Sequence, residues 1–357
     1  MPSTEVTRHT IAILQVSQIL QGVRGRGVDV QALLRRAGIV PALLDSPLSR
    51  VTQAQYAALI KLLSRSTRDE LWGLCSQPVP LGHFAQMCRL LVQCRTLGEA
   101  LRTGLAYYHR VLPDFVPRLV VHEGQAAVRL VGQGERALER GYADRTFCFF
   151  TYGLASWLVA RRIPVLEVMY RPIDQGYSSD AGRLFQAPVV YDHPWVGFRF
   201  EARWLDLPVV QTPQSLQEFL RQAPASLLIR YRDQTSLSER IRRLLRRHLA
   251  GEMPSLEFVS DYLAMTPQTL RRRLRDEGLG YQAIKDDLRR DAAIEYLGQP
   301  ELTLLDIANR LGFSEASTFH RAFKGWTGLA PGVYRQTLLR PHAEAGVSDL
   351  ATRALPH

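Results

Sequence analysis

The sequence predicts an α+β amino-terminal domain, mostly helical with a small sheet, followed by an all-α domain in which two helix-turn-helix units are joined by a long helix. Three observations predict it. One apolar pattern occurs twice in the last third of the chain, at Val259–Leu274 and Ile307–Phe323. Strand-like stretches are confined to the region before residue 210, among helical ones. Proline and polar residues cluster between the two regimes, at Pro208–Pro213 and near Pro224, where a boundary belongs.

Residues 10–36 read as helix, with Ile11, Leu14, Ile19 and Leu20 apolar and a break at Gly25 and Gly27. A second helix spans 52–66: Thr52 caps it, and Tyr56, Leu59, Ile60 and Leu63 form one stripe. Residues 81–110 read as two helices split near Thr96–Gly98. Arg118–Leu130 alternates in character and reads as a β-hairpin turning at Gly124. Residues 141–160 form a buried helix. Within it Thr146–Ala160 is an uncharged run of about 15 residues, short of the roughly 20 that cross a bilayer, so no membrane span is expected. Strands at Val165–Tyr170 and Val196–Phe200 flank a helix at Ser179–Phe185. From Ser238 onward every element reads helical, and Pro341–His357 carries little pattern. The expected domains are therefore 1–215, a linker at 216–236, a helical domain at 237–340 and a disordered tail at 341–357.

The net charge of +11 and pI of about 9.8 favour a polyanionic partner. The excess is spread along the chain. Residues 236–340 hold 17 Lys/Arg against 13 Asp/Glu, a net of +4, and residues 1–235 hold 27 against 19, a net of +8. The argument for nucleic acid therefore rests on the repeated motif. The four cysteines (Cys75, Cys88, Cys94, Cys148) show no Cys-x-x-Cys or Cys/His spacing of a zinc site. They are expected to be buried, reduced thiols, with no metal and no cofactor. Met1–Arg8 is polar and no cleavable apolar core follows, so a cytoplasmic location is expected. Gly22, Gly25 and Gly27 lack the preceding strand that a dinucleotide loop needs, and no Walker, His-Glu-x-x-His or Gly-x-Ser-x-Gly motif occurs. No catalytic residue is assigned.

The two copies align on their apolar residues. Val259 matches Ile307, Leu263 matches Leu311 and Met265 matches Phe313. Leu270 and Leu274 match Phe319 and Phe323 at an offset one residue longer, so the second copy has one extra residue at the start of its second helix. Gly312 stands where the first helix of its copy ends and accepts a left-handed backbone. Ala264 holds that place in the first copy, at a cost of about 1 kcal/mol if the backbone is the same. Thr266 and Ser314 are candidate N-caps whose hydroxyls can also reach phosphate. Between the copies, Tyr281–Leu297 is amphipathic, with Ile284, Leu288, Ala292 and Tyr296 on one stripe. A helix of that length is about 25 Å long, suited to two reading heads on one face of a duplex whose repeat is roughly 34 Å.

Residues 238–340 resemble the DNA-binding domain of the AraC/XylS family of bacterial transcription regulators. The stretch Asp306-Ile-Ala-Asn-Arg-Leu-Gly-Phe through Phe323-Lys-Gly-Trp-Thr-Gly-Leu-Ala-Pro331, with Tyr334-Arg335 after it, carries the resemblance. More loosely, the amino-terminal part is similar to the sensor domain of the ornithine- and arginine-utilisation regulators, through Leu184-Phe-Gln-Ala-Pro188, Phe198-Arg-Phe and Trp204-Leu-Asp-Leu-Pro208. The resemblance implies base-reading residues on each second helix: Gln268, Arg271 and Arg272 in the first unit, and Ala316, Ser317, His320 and Arg321, with Lys324 beyond them, in the second. Arginine can bind guanine and glutamine adenine in bidentate fashion, whereas Ala316 offers only a methyl contact to thymine. It further implies promoter DNA and RNA polymerase as partners, a homodimer, a small-molecule effector and an activator role.

An amino-terminal domain of this size can enclose a pocket, with Tyr107, Tyr108, His109, Phe147, Phe149, Tyr152 and Trp157 as candidate lining. The basic excess favours an anionic metabolite such as a carboxylate as effector, the resemblance implies a nutrient amino acid or its relatives, and an amphipathic lipid such as a fatty acid is left open. Two other readings compete: a ligand-independent architectural DNA-binding protein, and a DNA-repair methyltransferase joined to such a DNA-binding domain. The latter needs thiolates around one zinc, which the cysteine spacing opposes. Addition of effector to a gated regulator changes stability or DNA affinity; an architectural protein lacks that response.

Overall fold

The structure, a computed structural model, describes residues 10–132, 141–171, 185, 187–222, 227, 237–277 and 279–338. The described residues open on a strand, β1 (Thr10–Ala12), where the sequence reads as helix. The β-branched Thr10 and Ile11 pair antiparallel with β2 (Arg50–Thr52), a partner 40 residues away that local periodicity does not reveal. Helices α1 (Ile13–Ile19) and α2 (Val30–Arg36) follow, with Gly25 and Gly27 in the expected break at φ +72° and +71°. Gly22 has a packing role. A Cβ there would lie 2.3 Å from the Trp72 carbonyl oxygen, so two backbones meet at this point.

Helix α3 (Gln53–Thr67) starts at a capping box formed by Thr52 and Gln55, and its expected stripe Tyr56, Leu59, Ile60 and Leu63 is wholly buried. Helices α4 (His83–Leu91) and α5 (Leu97–His109) are split as the sequence reads, with Thr96 accepting from the Glu99 N–H. The hairpin is β3 (Phe115–His122) and β4 (Gln125–Gly132). Its two-residue turn places Glu123 and Gly124 at φ +47° and +73°, the geometry whose twist matches the strands. Helix α6 (Gly141–Leu158) packs on a five-stranded sheet of order β3-β4-β7-β5-β6, with β5 at Val165–Met169, β6 at Val189–Val190 and β7 at Val196–Glu201. Only β5 and β6 run parallel. The helix expected at 179–185 lies, apart from Phe185, outside the described residues.

The expected linker does not begin at residue 216. Helix α7 (Pro213–Gln222) belongs to the amino-terminal body: Leu216 is buried and Phe219 stacks on Trp157 with centroids 4.1 Å apart. Residues 223–226 and 228–236, where the remainder of that linker falls, and the expected tail at 341–357 lie outside the described residues.

The carboxy-terminal part is helical. It comprises α8 (Leu237–Arg246), α9 (Leu256–Tyr262), α10 (Pro267–Asp276), the 17-residue α11 (Tyr281–Leu297), α12 (Leu304–Arg310), α13 (Ala316–Thr327) and a last helix at 331–338. Two separate apolar cores divide α11 between them. Ile284 and Leu288 pack with α8, α9 and α10 around Ile241, Leu245, Val259 and Leu270. Ala292–Leu297 pack with Ile307, Phe319, Phe323 and Tyr334 in a core continuous with the amino-terminal domain. Polar contacts reinforce that continuity. Thr10 Oγ1 donates to Asp291 Oδ1 at 2.5 Å, Ser46 Oγ to the Thr327 carbonyl at 3.3 Å, and the Tyr334 hydroxyl to the Arg50 carbonyl.

Within the Arg-rich helix α8, Ile241 and Leu245 are fully buried. Arg242 lies on the buried side of this helix as well. It is 3% exposed and pairs with Asp287 of α11 at 3.1 Å. Asp287 also meets Arg290 at 2.9 Å, and Arg290 reaches Asp291 at 3.2 Å. No helix among the described residues is long and apolar enough to cross a membrane.

Candidate nucleic-acid interface and ligand cavity

Each half of the helical domain presents one short helix, a tight turn and a second helix. Leu256, Val259, Leu270 and Leu274 are the buried side of the first pair; Ile307, Ala308, Phe319 and Phe323 are that of the second. Helical periodicity then dictates which residues face outward. On α10 these are Gln268, Arg271, Arg272 and Arg275, all exposed at spacings i, i+3, i+4 and i+7. On α13 they are Ser317, His320, Arg321 and Lys324, exposed at the same spacings. Ala316 is half-buried at the start of that helix. Arg275 was missed in the sequence, although it stands one further helical repeat along the first stripe.

Among the described residues Arg272, Arg275, Arg321 and Lys324 make no ion pair, so their positive charge is unspent. Arg271 is only loosely engaged, 3.9 Å from Glu257 across the turn. Arg273 lies sideways over Met265, its Nη1 4.0 Å from the sulfur.

The turns explain themselves. Thr266 caps α10 by accepting from the Thr269 N–H at 3.2 Å, as the sequence predicts. Ser314 does not cap α13. The extra residue of the second copy falls before the cap, so Glu315 takes that position, without a side-chain cap bond. Ser314 remains exposed beside the helix start. Gly312 and Ala264 both adopt left-handed backbone, at φ +72° and +53°. The expected strain at Ala264 is therefore present, and Ala264→Gly should stabilise the protein by about 0.5–1 kcal/mol. A rise in the urea midpoint at unchanged slope checks it; an unchanged or lower midpoint contradicts it.

Helix α11 ties the pairs together at both ends. The Tyr281 hydroxyl donates to the Pro254 carbonyl at 2.8 Å, fixing the start of the first pair. Arg289 Nε donates to the Leu311 carbonyl at 3.1 Å, and its guanidinium lies 5.0 Å above the Phe313 ring, fixing the turn of the second.

The amino-terminal domain contains a cavity of about 380 Å³ between α3, α4, α5 and α6, closed in part by Leu220 of α7. Its wall is overwhelmingly apolar, with Leu71, Leu91, Leu101, Leu105 and Leu154 beside Phe84, Tyr108, Phe147 and Phe150. Of the predicted lining residues, Tyr108 and Phe147 border it. The others lie elsewhere. Tyr107 is half-buried and its hydroxyl bonds to His83 Nδ1 at 2.8 Å. His109 is exposed at the end of α5. Phe149 meets Phe185, Tyr152 sits on Phe198 with its hydroxyl donating to the Ile163 carbonyl, and Trp157 stacks on Phe219.

Polar groups missed in the sequence lie around this cavity: Lys61, Ser64, Arg65, Glu70 and Thr151. The α3 spacing of Lys61 and Arg65, four residues apart, was the available signal. Glu70 accepts from the Gly82 and Phe84 N–H groups at 2.7 Å each, so it anchors the loop entering α4; burial pushes its carboxyl above the usual range. Cys75, Cys88 and Cys148 are buried and Cys94 half-buried; burial pushes the thiols of Cys88 and Cys148 far up, so they stay protonated.

Residues 27–209 match the amino-terminal arabinose-binding domain of AraC transcription regulator, and residues 259–337 match a helix-turn-helix domain. The ornithine utilization regulator of Pseudomonas aeruginosa is 27% identical over 331 residues, covering 92% of this chain and 97% of that protein. The regulator VirS of Mycobacterium tuberculosis is 37% identical over 147 residues, 41% of this chain and 43% of that one. The crystal structure of the transcriptional regulator CdpR from Pseudomonas aeruginosa aligns with 91% of this chain and 97% of its own at 22% identity and a TM-score of 0.29.

Proposed function

Since the chain belongs to the AraC family of transcription regulators and is a DNA-binding regulator, we propose that its two short-helix pairs act as two helix-turn-helix reading heads on promoter DNA, under control of a small molecule held in the amino-terminal cavity. The observation that carries this reading is the pair of outward cationic stripes, one on each second helix, in a domain where α11 fixes their mutual placement. Gln268, Arg271 and Arg272 on one head, and Ser317, His320 and Arg321 on the other, are the base-facing set. Thr266, Ser314, Arg275 and Lys324 flank them within reach of phosphate. Ala316 offers at most the edge of a methyl group.

The protein works without catalysis of its own, as a cytoplasmic homodimer that recruits RNA polymerase as an activator. The names of its relatives, all regulators of transcription, support the first part of that statement. Sedimentation of the full-length protein on a promoter fragment tests the dimer; a single copy per site rejects it.

Arg321→Ala should weaken binding to an operator selected from random duplexes by about 1–3 kcal/mol, roughly five- to 150-fold, and relax preference at one base position. Fluorescence anisotropy against the selected and scrambled duplexes measures both. Equal affinity of wild type and variant for the operator would show that Arg321 does not read bases. Lys324→Ala should instead weaken all sequences alike and reduce the salt slope by about one.

A further inference from the structure

The two faces of the five-stranded sheet differ in chemistry. Residues paired across strands share a face. The face under α6 carries Leu119, Val128, Phe198 and Val168, in or against the core. The opposite face carries Arg118, Arg129, Gly197 and Met169 in one row, with Arg199 and Glu167 in the next. Arg199 is neutralised by its ion pair with Glu167. Arg118 and Arg129 are not. They stand directly opposite one another on β3 and β4, an arrangement in which like charges repel. Among the described residues neither has a hydrogen-bond acceptor or a carboxylate partner. The carboxylates of the hairpin turn and of the end of β7 are engaged elsewhere, Glu123 with His122 at 3.8 Å and Glu201 with Arg203 at 2.5 Å.

Gly197 lets an aromatic side chain lie on this outer face. A Cβ there would stand 3.0 Å from Trp195 Cζ3, so the indole rests over the glycine. Arg129 places its guanidinium 4.7 Å over that indole, and the His193 ring meets it edge-on with centroids 4.4 Å apart. Arg129 Nε and His193 Nδ1 are buried there without a hydrogen-bond partner. Buried polar atoms in native proteins are paired as a rule, so two orphans against one indole demand an explanation. Leu130 pairs with Val196, which brings Val131, 44% exposed, beside Trp195. Two unspent guanidiniums, an imidazole and an apolar floor thus meet in one patch.

We propose that this patch binds the phosphate of a small organic phosphate monoester, at a site separate from the cavity between α3 and α6. Charge sets the class. A monoester carries about −1.5 to −2 at neutral pH on three acceptor oxygens, which matches two guanidiniums. Guanidinium forks engage phosphate oxygens in bidentate fashion. A single carboxylate brings one charge and leaves one arginine unmatched. A nucleic-acid backbone is followed by a run of cations, whereas the unpaired charge here stops at two, Arg199 and Arg203 being matched already. Trp195 and Val131 give the organic part an apolar surface, so the ester is favoured over the free ion.

Calorimetric titration of the full-length protein with phenyl phosphate, well above the second phosphate pKa of about 6, should give saturable one-to-one binding. Phenyl sulfate, with the same ring and one charge, should bind at least tenfold more weakly, and inorganic phosphate more weakly than the ester. Arg118→Glu changes an exposed position. It should weaken phenyl phosphate at least tenfold and raise the melting temperature of the free protein, because a carboxylate then faces Arg129. Phenyl phosphate should raise the melting temperature of the wild type and leave that of the variant unchanged. Arg129→Gln should weaken the ester comparably, with melting reporting that it is folded. Absence of saturable binding overturns the proposal. So does equal binding of the ester by wild type and Arg118→Glu, or equal binding of the sulfate. Displacement of the ester by a duplex of random sequence would assign the arginines to a nucleic-acid backbone and overturns it too. A phosphotyrosine peptide bound at least tenfold tighter than phenyl phosphate would put a phosphorylated protein in place of the small ester. The titration uses no DNA, so its failure and that of the reading heads are distinguishable.

Discussion

Replacing Asp287 by alanine is expected to destabilise the helical domain by about 3–5 kcal/mol, the cost of leaving a buried charge without its partner. Asp287 is 5% exposed and bridges two cations, Arg242 of α8 at 3.1 Å and Arg290 of α11 at 2.9 Å. Arg290 keeps Asp291 at 3.2 Å, so the loss falls mainly on Arg242, itself 3% exposed. Urea denaturation of the full-length protein reads the change. A double variant with Arg242→Met should recover a large part of the loss, because a well-packed apolar pair replaces a buried ion pair at little cost. Additive losses in the double variant would mean that the two groups act independently and that the pair is not what holds α8 to α11.

Gly312→Ala should cost about 2–4 kcal/mol. About 1 kcal/mol comes from placing a Cβ in left-handed backbone, and a further 1–3 kcal/mol from overpacking. A Cβ at Gly312 would stand 2.2 Å from the Gly251 carbonyl oxygen, a backbone atom that cannot swing aside as a side-chain tip can. The same substitution type is tolerated at the matching turn, where Ala264 already sits at φ +53°. The difference isolates the second cause. A loss at Gly312 no larger than about 1 kcal/mol would show that the loop at Gly251 yields. A large loss should also reduce operator affinity, since Gly312 sets the angle between α12 and α13.

The helical half was legible because its signals are local. Apolar spacing, cap residues and a turn glycine all lie within about 20 residues of one another, and Tyr281–Leu297 comes out with the bounds read from its stripe. What the chain did not disclose depends on distant partners. Thr10–Ala12 is a strand only because Arg50–Thr52 lies alongside it. Arg242 looks solvated until Asp287, 45 residues on, is placed against it. The cavity misled for a related reason. Aromatic residues on α5 and α6 suggested a lining, but Phe149, Tyr152 and Trp157 satisfy their faces and hydroxyl against Phe185, Phe198, Phe219 and Ile163. The chamber is lined instead by leucines with Phe84, Tyr108, Phe147 and Phe150, whose pattern does not distinguish wall from core.

The division of α11 between two cores makes the two helix pairs unequal. The first pair packs on a core carried by residues 237–288, whereas the core of the second pair is continuous with that of the amino-terminal domain. A fragment cut to begin at residue 237 would therefore be incomplete in one half only. It would keep the first pair intact but strip from the second the Thr10 bond to Asp291, the Arg50 contact of Tyr334 and the apolar surface behind Phe323. The two halves of such a fragment would differ in resistance to proteolysis, with the weaker half the one that retains the more diagnostic sequence.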